Sequence, residues 1–108
     1  RCILNTLTKY KIIILQQFYS EILSILDYSI LKLQNYNFYH KLQKQIYNSI
    51  SALEFFPERY PIIFIYNNSN FRKLVINNYI IIYKVDSLNF NLFILHIFRY
   101  NQNYFSYL

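Results

Sequence analysis

The segment from Phe71 to Val85 constrains the fold most, because it predicts a β-hairpin at the centre of a sheet. Two runs rich in β-branched and aromatic residues flank Asn77-Asn78. Asparagine tolerates positive φ better than other non-glycine residues, and the chain has no glycine, so this pair is a suitable two-residue turn. The second run is apolar on both faces up to Lys84, which is typical of a central strand covered on at least one side.

The composition fits one domain with a single core. The chain has 108 residues, of which 55% are hydrophobic, with 13 Tyr and 10 Phe. Its net charge of +6 favours a polyanionic partner such as nucleic acid, the ribosome or an acidic protein segment. Solubility explains so small an excess of positive charge equally well.

Cysteine content and hydropathy predict a cytoplasmic protein without a metal or cofactor. The single Cys2 excludes an intramolecular disulfide and a cysteine-built metal site. No segment approaches the ~20 uninterrupted apolar residues that cross a bilayer, and no signal peptide is evident. The chain does not begin with Met, so we treat residues 1–8 as an N-terminal extension of uncertain status and residues 9–108 as one domain.

The first half of the chain predicts a strand and two helices. Lys9–Leu15 is apolar enough for a strand, and a helix then begins at Gln16 or Gln17. Asn37 is a suitable N-cap for a second helix from about Phe38 to Phe55, which Pro57 ends. The two predicted apolar stripes are Phe18, Ile22, Ile25, Leu26, Ile30 and Leu33, then Phe38, Leu42, Ile46, Ser49, Ile50 and Leu53. Because the connection between the two helices is short, we expect them to pack as an antiparallel helical hairpin.

The second half predicts a meander. Phe56–Pro61 is an extended connector, Ile62–Tyr66 is either a short strand or a packed loop, and Asn67–Asn70 is a loop. A turn at Asp86–Asn89 leads to a last strand, Phe90–Phe98. The predicted fold is a two-layer α+β domain of order β-α-α-β-β-β: an N-terminal strand, the helical hairpin, and a three-stranded antiparallel meander whose edge pairs with the first strand.

Three motifs in this order resemble the RelE/ParE superfamily of toxins from type II toxin–antitoxin pairs. Leu53–Pro61 is similar to the family's Leu-x-x-Phe-Pro-x-x-x-Pro. Phe71–Asp86 is similar to its Arg-x-Leu followed by Tyr-x-Ile-x-Tyr-x-Val. Gln102-Asn103-Tyr104, with Leu108, resembles the ending of some members. The resemblance covers the chain from about Tyr10 to Leu108.

The resemblance implies a toxin that a cognate antitoxin neutralises, and it leaves three alternatives open. A RelE-like toxin enters the ribosome and cuts mRNA, without a metal. A ParE-like toxin binds and inhibits DNA gyrase and has no catalysis of its own. A degenerate, non-toxic interaction module is the third alternative. The many aromatic residues predict apolar surface that a partner covers. The sequence leaves the oligomeric state open.

RNA cleavage of the RelE type requires a base, cations for the phosphate and an acid. The catalytic candidates are Arg72, Arg99, Tyr104 and His96. The candidates for binding nucleic acid are Lys73, Arg59, Arg72 and Arg99. We expect the cations on the sheet face opposite the helices. Strict alternation places His96 with Phe90, Leu92 and Ile94, so His96 is a core residue in the competing interpretation, and it shares a face with Arg99 only if a bulge intervenes.

Overall fold

The computed structural model describes residues 9–27 and 36–99. The elements, in chain order, are β1 (Lys11–Ile14), α1 (Gln16–Asp27), α2 (Tyr36–Ala52), β2 (Ile62–Tyr66), β3 (Ser69–Ile76), β4 (Tyr79–Asp86) and β5 (Asn91–Arg99). The strands form one five-stranded sheet in the order β1-β5-β4-β3-β2. The predicted α+β class and the order of strands and helices are therefore confirmed, with one additional strand.

The additional strand is β2, so the predicted three-stranded meander has four strands. Asn67 and Asn68 have φ values of 50° and 63°, and this left-handed pair closes a two-residue hairpin turn. Ser69 and Asn70 consequently belong to β3 and pair with β2 instead of forming a loop. Of the two alternatives for Ile62–Tyr66, the strand is the one observed.

The first strand pairs with β5, and the two strands are parallel. Ile12 lies opposite Leu92, and Ile14 lies opposite Ile94. Parallel neighbours need a long crossover between them. The two helices and the meander provide it here, which makes an otherwise antiparallel sheet a mixed one.

The helices differ from the predicted bounds mainly in α2. The first helix begins at Gln16 as predicted, whereas α2 begins at Tyr36, so Asn37 lies inside this helix and does not precede it. The second helix ends at Ala52 rather than Phe55, because the N–H groups of Leu53 and Glu54 turn back to the carbonyls of Ile50 and Ser51. No helix within residues 9–27 and 36–99 is long and apolar enough to span a membrane.

One face of the sheet carries the helices, and we call it the helix face. Phe18 and Leu26 of α1 pack there, in one cluster with apolar residues of α2 and of the strands. The fully buried members include Leu42, Leu53, Ile81, Tyr83, Leu92 and Ile94. The described members of the predicted helical stripes are thus buried or partly buried, while Ile30 and Leu33 lie outside the described residues. This arrangement confirms the two-layer architecture.

The opposite side of the sheet, the second face, has a smaller apolar cluster made of Ile80, Ile82, Leu95 and Phe98. No helix of the described residues contributes to that cluster. The register of β5 against β4 shifts here, because Ile82 lies opposite His96 and Tyr83 lies opposite Ile94. Leu95 is therefore the extra residue of a β-bulge, which strict alternation along the strand does not predict.

Candidate nucleic-acid interface

Arg72 lies on the helix face, which corrects the expectation that it faces away from the helices. Its register partner is Tyr83, a member of the helix-face cluster. Its Nη1 donates to the carbonyl oxygen of Tyr60 at 2.6 Å and to that of Glu58 at 3.1 Å. Arg72 Nε is buried and has no hydrogen-bond partner within the described part of the chain. The guanidinium therefore holds the connector against the sheet.

Tyr83, on β4, also holds the connector of residues 56–61 against the sheet. Its hydroxyl donates to the carbonyl oxygen of Pro57 at 2.7 Å, and its side chain is fully buried. Burial raises the pKa of Tyr83 to about 12, and the nearby Arg72 guanidinium opposes this rise in part. The hydrogen bonds from Arg72 and Tyr83 explain why the Phe56-Pro57 segment stays against the sheet instead of extending into solvent.

Arg59 and Lys73 occupy different surroundings. Arg59 is exposed on the connector, where its guanidinium lies 5.5 Å from the centre of the Phe56 ring and donates to the Ala52 carbonyl at 3.4 Å. Lys73 lies opposite Ile82 and is therefore on the second face. Adjacent residues of a strand point to opposite faces, so Arg72 and Lys73 cannot act on one ligand from the same side of the sheet.

His96 lies on the second face because of the bulge. It pairs with Ile82, and its ring stacks on that of Phe98 with centroids 5.2 Å apart. Its Nδ1 lies 3.2 Å from Glu21 Oε2. The predicted alternation, which grouped His96 with Leu92 and Ile94, is therefore wrong. The bulge at Leu95 reverses the face to which each later side chain of β5 points.

Arg99 and Tyr104 complete the set of predicted residues. Arg99 lies opposite Tyr79 on the helix face, whereas Arg72 lies opposite Tyr83. These two positions on β4 are separated by four residues, which is roughly 13 Å along the strand. Even with the bulge, Arg99 and His96 lie on opposite faces. Tyr104 lies outside the described residues, so its catalytic role stays a prediction, as do those of Arg72, Arg99 and His96.

A row of side chains on the second face was not among the predicted site residues. It crosses four strands, from Phe64 through Phe71 and Lys84 to Phe93, each opposite the next. The Phe64 and Phe71 rings stack with centroids 4.6 Å apart and an interplanar angle of 7°. Lys84 Nζ lies 5.8 Å from the centre of the Phe71 ring and 5.3 Å from that of Phe93. We call these residues the aromatic–lysine row.

All four residues of the aromatic–lysine row are partly exposed, whereas Ile80 and Ile82 beside it are buried. Next to this row on the second face, Lys73 and His96 lie on either side of Ile82, on the two neighbouring strands. A ligand on this face would thus meet aromatic rings, two lysines and one imidazole. The two turns at Asn67-Asn68 and Asn77-Asn78 fix most of this register, so the pairing of Phe64, Phe71 and Lys84 could have been found from the sequence.

Comparison of the sequence with protein-family models and with curated proteins gives no match. The fold is similar to a solved structure, the crystal structure of an archaeal RelE–RelB complex from Pyrococcus horikoshii OT3. The similarity covers 87% of this chain and 98% of the other, with a TM-score of 0.54 and 15% sequence identity. An identity this low establishes the fold and not the activity. The N-terminal strand, the helical pair and the mixed sheet thus give this chain a RelE-like fold.

Proposed function

We propose that this protein is the toxin of a type II toxin–antitoxin pair and that it acts by cutting mRNA on the ribosome. The single observation that carries the proposal is the aromatic–lysine row on the second face, in a chain with a RelE-like fold. Aromatic rings beside cations suit single-stranded RNA, because each base offers a face for stacking and each nucleotide carries a phosphate.

The row supplies binding without a demand for one base sequence. Stacking of a base on an aromatic ring contributes about 1–3 kcal/mol and tolerates any base. Lys84 is held between Phe71 and Phe93. In the proposed complex its ammonium group contacts a backbone phosphate of RNA stacked on these rings. Lys73 adds a second cation on the same face. Arg59 lies apart from this face, on the connector that Arg72 holds against the helix face.

The chemistry of the proposed cleavage starts from His96. Its imidazole takes the proton of a ribose 2′-hydroxyl, the 2′ oxygen forms a bond to phosphorus, and the bond from phosphorus to the 5′ oxygen breaks. The leaving oxygen takes a proton from water, and the resulting hydroxide takes the proton that His96 accepted, which restores the base. The products are a 2′,3′-cyclic phosphate and a 5′-hydroxyl. Lys73 and His96 both lie beside Ile82, with Cα atoms about 10 Å apart, so the lysine can reach the negative charge that develops on the phosphate.

Induced expression in bacteria tests this function. Primer extension on cellular mRNA should show ribosome-dependent cuts, and growth should stop. His96→Ala should abolish the cuts, whereas His40→Ala is the matched control because His40 is exposed on α2. Growth arrest with intact mRNA would contradict the proposal. Double-strand breaks with an SOS response would then indicate gyrase inhibition, and normal growth would indicate an inactive module.

Binding can be measured separately from cleavage. Lys84→Gln should weaken binding of a fluorescent single-stranded RNA of eight uridines by about tenfold, because it removes a phosphate contact, and should reduce the salt dependence by roughly one counterion. Lys41→Gln on the exposed side of α2 is the control, since it changes the net charge equally. Equal weakening by both substitutions would mean that the effect is general electrostatics.

The proposed partner is an antitoxin of acidic character. The similar structure is a complex of RelE with RelB, and the net charge of +6 favours an acidic segment. Large exposed apolar residues would give such a segment its anchors; they include Leu23, Tyr47, Phe56, Ile65 and Leu88.

A further inference from the structure

The carboxylate of Glu21 joins α1 to the end of β5 through two contacts. Its Oε1 accepts a hydrogen bond from the main-chain N–H of Ile97 at 3.0 Å, and its Oε2 lies 3.2 Å from His96 Nδ1. The exposed fractions of the Glu21 and His96 side chains are 15% and 18%. Oε2 also accepts from Nε2 of Gln17, within α1, at 3.3 Å. Each oxygen of Glu21 therefore has one partner on β5 in partly buried surroundings, where such contacts are stronger than in water.

The fold explains why a carboxylate lies at this point. The first strand ends at Ile14, opposite Ile94, and Leu15 makes the last bond to β5 through the Ile94 carbonyl. The last strand continues to Arg99 without β1 beside it. Its outward N–H groups need other acceptors. The second turn of α1 brings Glu21 to this edge, and the Ile97 N–H is satisfied there.

Edge capping explains the bond from the Ile97 N–H but not the contact between Glu21 Oε2 and His96 Nδ1. An ionised carboxylate only accepts hydrogen bonds, so the nitrogen that faces Glu21 Oε2 must carry a proton. In the neutral imidazole the second nitrogen, Nε2, is then without a proton and can accept one. Stacking of the His96 ring on Phe98 further restricts its orientation.

The geometry points to Glu21 as the positioning residue of His96: it fixes the tautomer with hydrogen on Nδ1 and keeps Nε2 as the proton acceptor on the second face. This inference rests on the proposed function, because His96 is the base in that mechanism. The logic is that of a carboxylate that orients a catalytic histidine. Glu21 itself touches no substrate.

Nitrogen NMR on the wild-type chain tests the inference without any activity measurement. The chain has two histidines, so labelling with ¹⁵N-histidine gives two ring systems, and the exposed His40 serves as the internal reference. Neutral His96 should show the Nδ1–H form almost exclusively, whereas neutral His40 should show the mixture of a solvated imidazole. A His96 signal dominated by the Nε2–H form would overturn the inference.

Glu21→Gln is the informative variant, because its amide can keep the edge cap and reverse the tautomer. The amide oxygen can still accept from the Ile97 N–H, while the NH₂ group donates to His96 Nδ1. Nε2 then carries the proton and cannot act as a base. Asp27→Asn is the matched control: it removes one carboxylate from an exposed position on the same helix.

We expect Glu21→Gln to shift His96 to the Nε2–H form and to lower kcat for mRNA cleavage by about 100-fold with little change in KM, since a general base contributes at least that much. Asp27→Asn should change neither. Unchanged kcat in Glu21→Gln beside an active wild type would overturn the inference. If the wild type cuts no mRNA, the proposed function fails, and the tautomer measurement alone then decides whether Glu21 positions His96.

Discussion

Replacing Tyr83 with phenylalanine tests the contact that fixes the connector to the sheet. The substitution removes one hydroxyl and keeps the ring. Tyr83 is fully buried, and its hydroxyl donates to the Pro57 carbonyl at 2.7 Å. Since Pro57 is buried as well, its carbonyl oxygen would lose this donor without gaining water. Such a loss costs about 1–3 kcal/mol of unfolding free energy. A loss of about 2 kcal/mol lowers the urea midpoint by roughly 1 M.

The same substitution should change the stability at alkaline pH. Burial raises the pKa of Tyr83 to about 12 in the folded protein, against 10.0 for a free tyrosine. The folded state therefore holds its proton more tightly than the unfolded state. Stability from this difference is fully present below about pH 10 and is lost as the pH rises to about 12. Over two pH units the loss is roughly 3 kcal/mol at most. The Tyr83→Phe variant has no such proton, so this part of the alkaline loss should be absent from it.

Urea denaturation followed by circular dichroism at several pH values measures both effects. Tyr47→Phe is the matched control, because Tyr47 is 71% exposed on α2 and its variant should unfold like the wild type at every pH. If Tyr83→Phe has the wild-type midpoint at neutral pH and the wild-type loss above pH 10, the hydroxyl does not hold the connector, and the reasoning is refuted.

Three further predictions concern stability and solubility. Arg72→Ala should lower the unfolding free energy by about 2 kcal/mol in thermal or urea unfolding, because the Glu58 and Tyr60 carbonyls lose their donor, whereas Lys73→Ala should cost under ~0.5 kcal/mol; equal effects would contradict the structural role of Arg72. Asn68→Gly should raise the urea midpoint, with a gain of about 0.5–1 kcal/mol, since φ is 63° there and glycine adopts that region without strain; a lower midpoint would contradict it. The protein alone should be poorly soluble and should be recovered in soluble form with a co-expressed acidic antitoxin, so soluble monomer at high concentration by size-exclusion chromatography would argue against a covered apolar surface.

Local sequence patterns were enough to predict the turns, strands and helices whose geometry depends on residues close together in the chain. Asn77-Asn78 closes the β3–β4 turn, and its φ-tolerant residues set the pairing of Phe71 with Lys84. The apolar stripes of both helices predicted which sides face the sheet, and Pro57 predicted the end of α2 within a few residues. In each case the determining residues lie close together in the chain, so periodicity and turn chemistry contain the information.

Contacts between distant parts of the chain decided the candidate site. The bulge at Leu95 places His96 on the second face, and no residue of β5 alone signals it. Main-chain carbonyls of the connector accept hydrogen bonds from the guanidinium of Arg72, whereas the sequence predicted that this arginine binds phosphate. Glu21 meets His96 across 75 positions of sequence, after β1 has ended beside β5. The sequence by itself thus determined most of the strands, helices and turns. The packing of sheet, helices and connector determined which charged groups are hydrogen-bonded to the main chain, because only packing brings such remote groups within hydrogen-bonding distance.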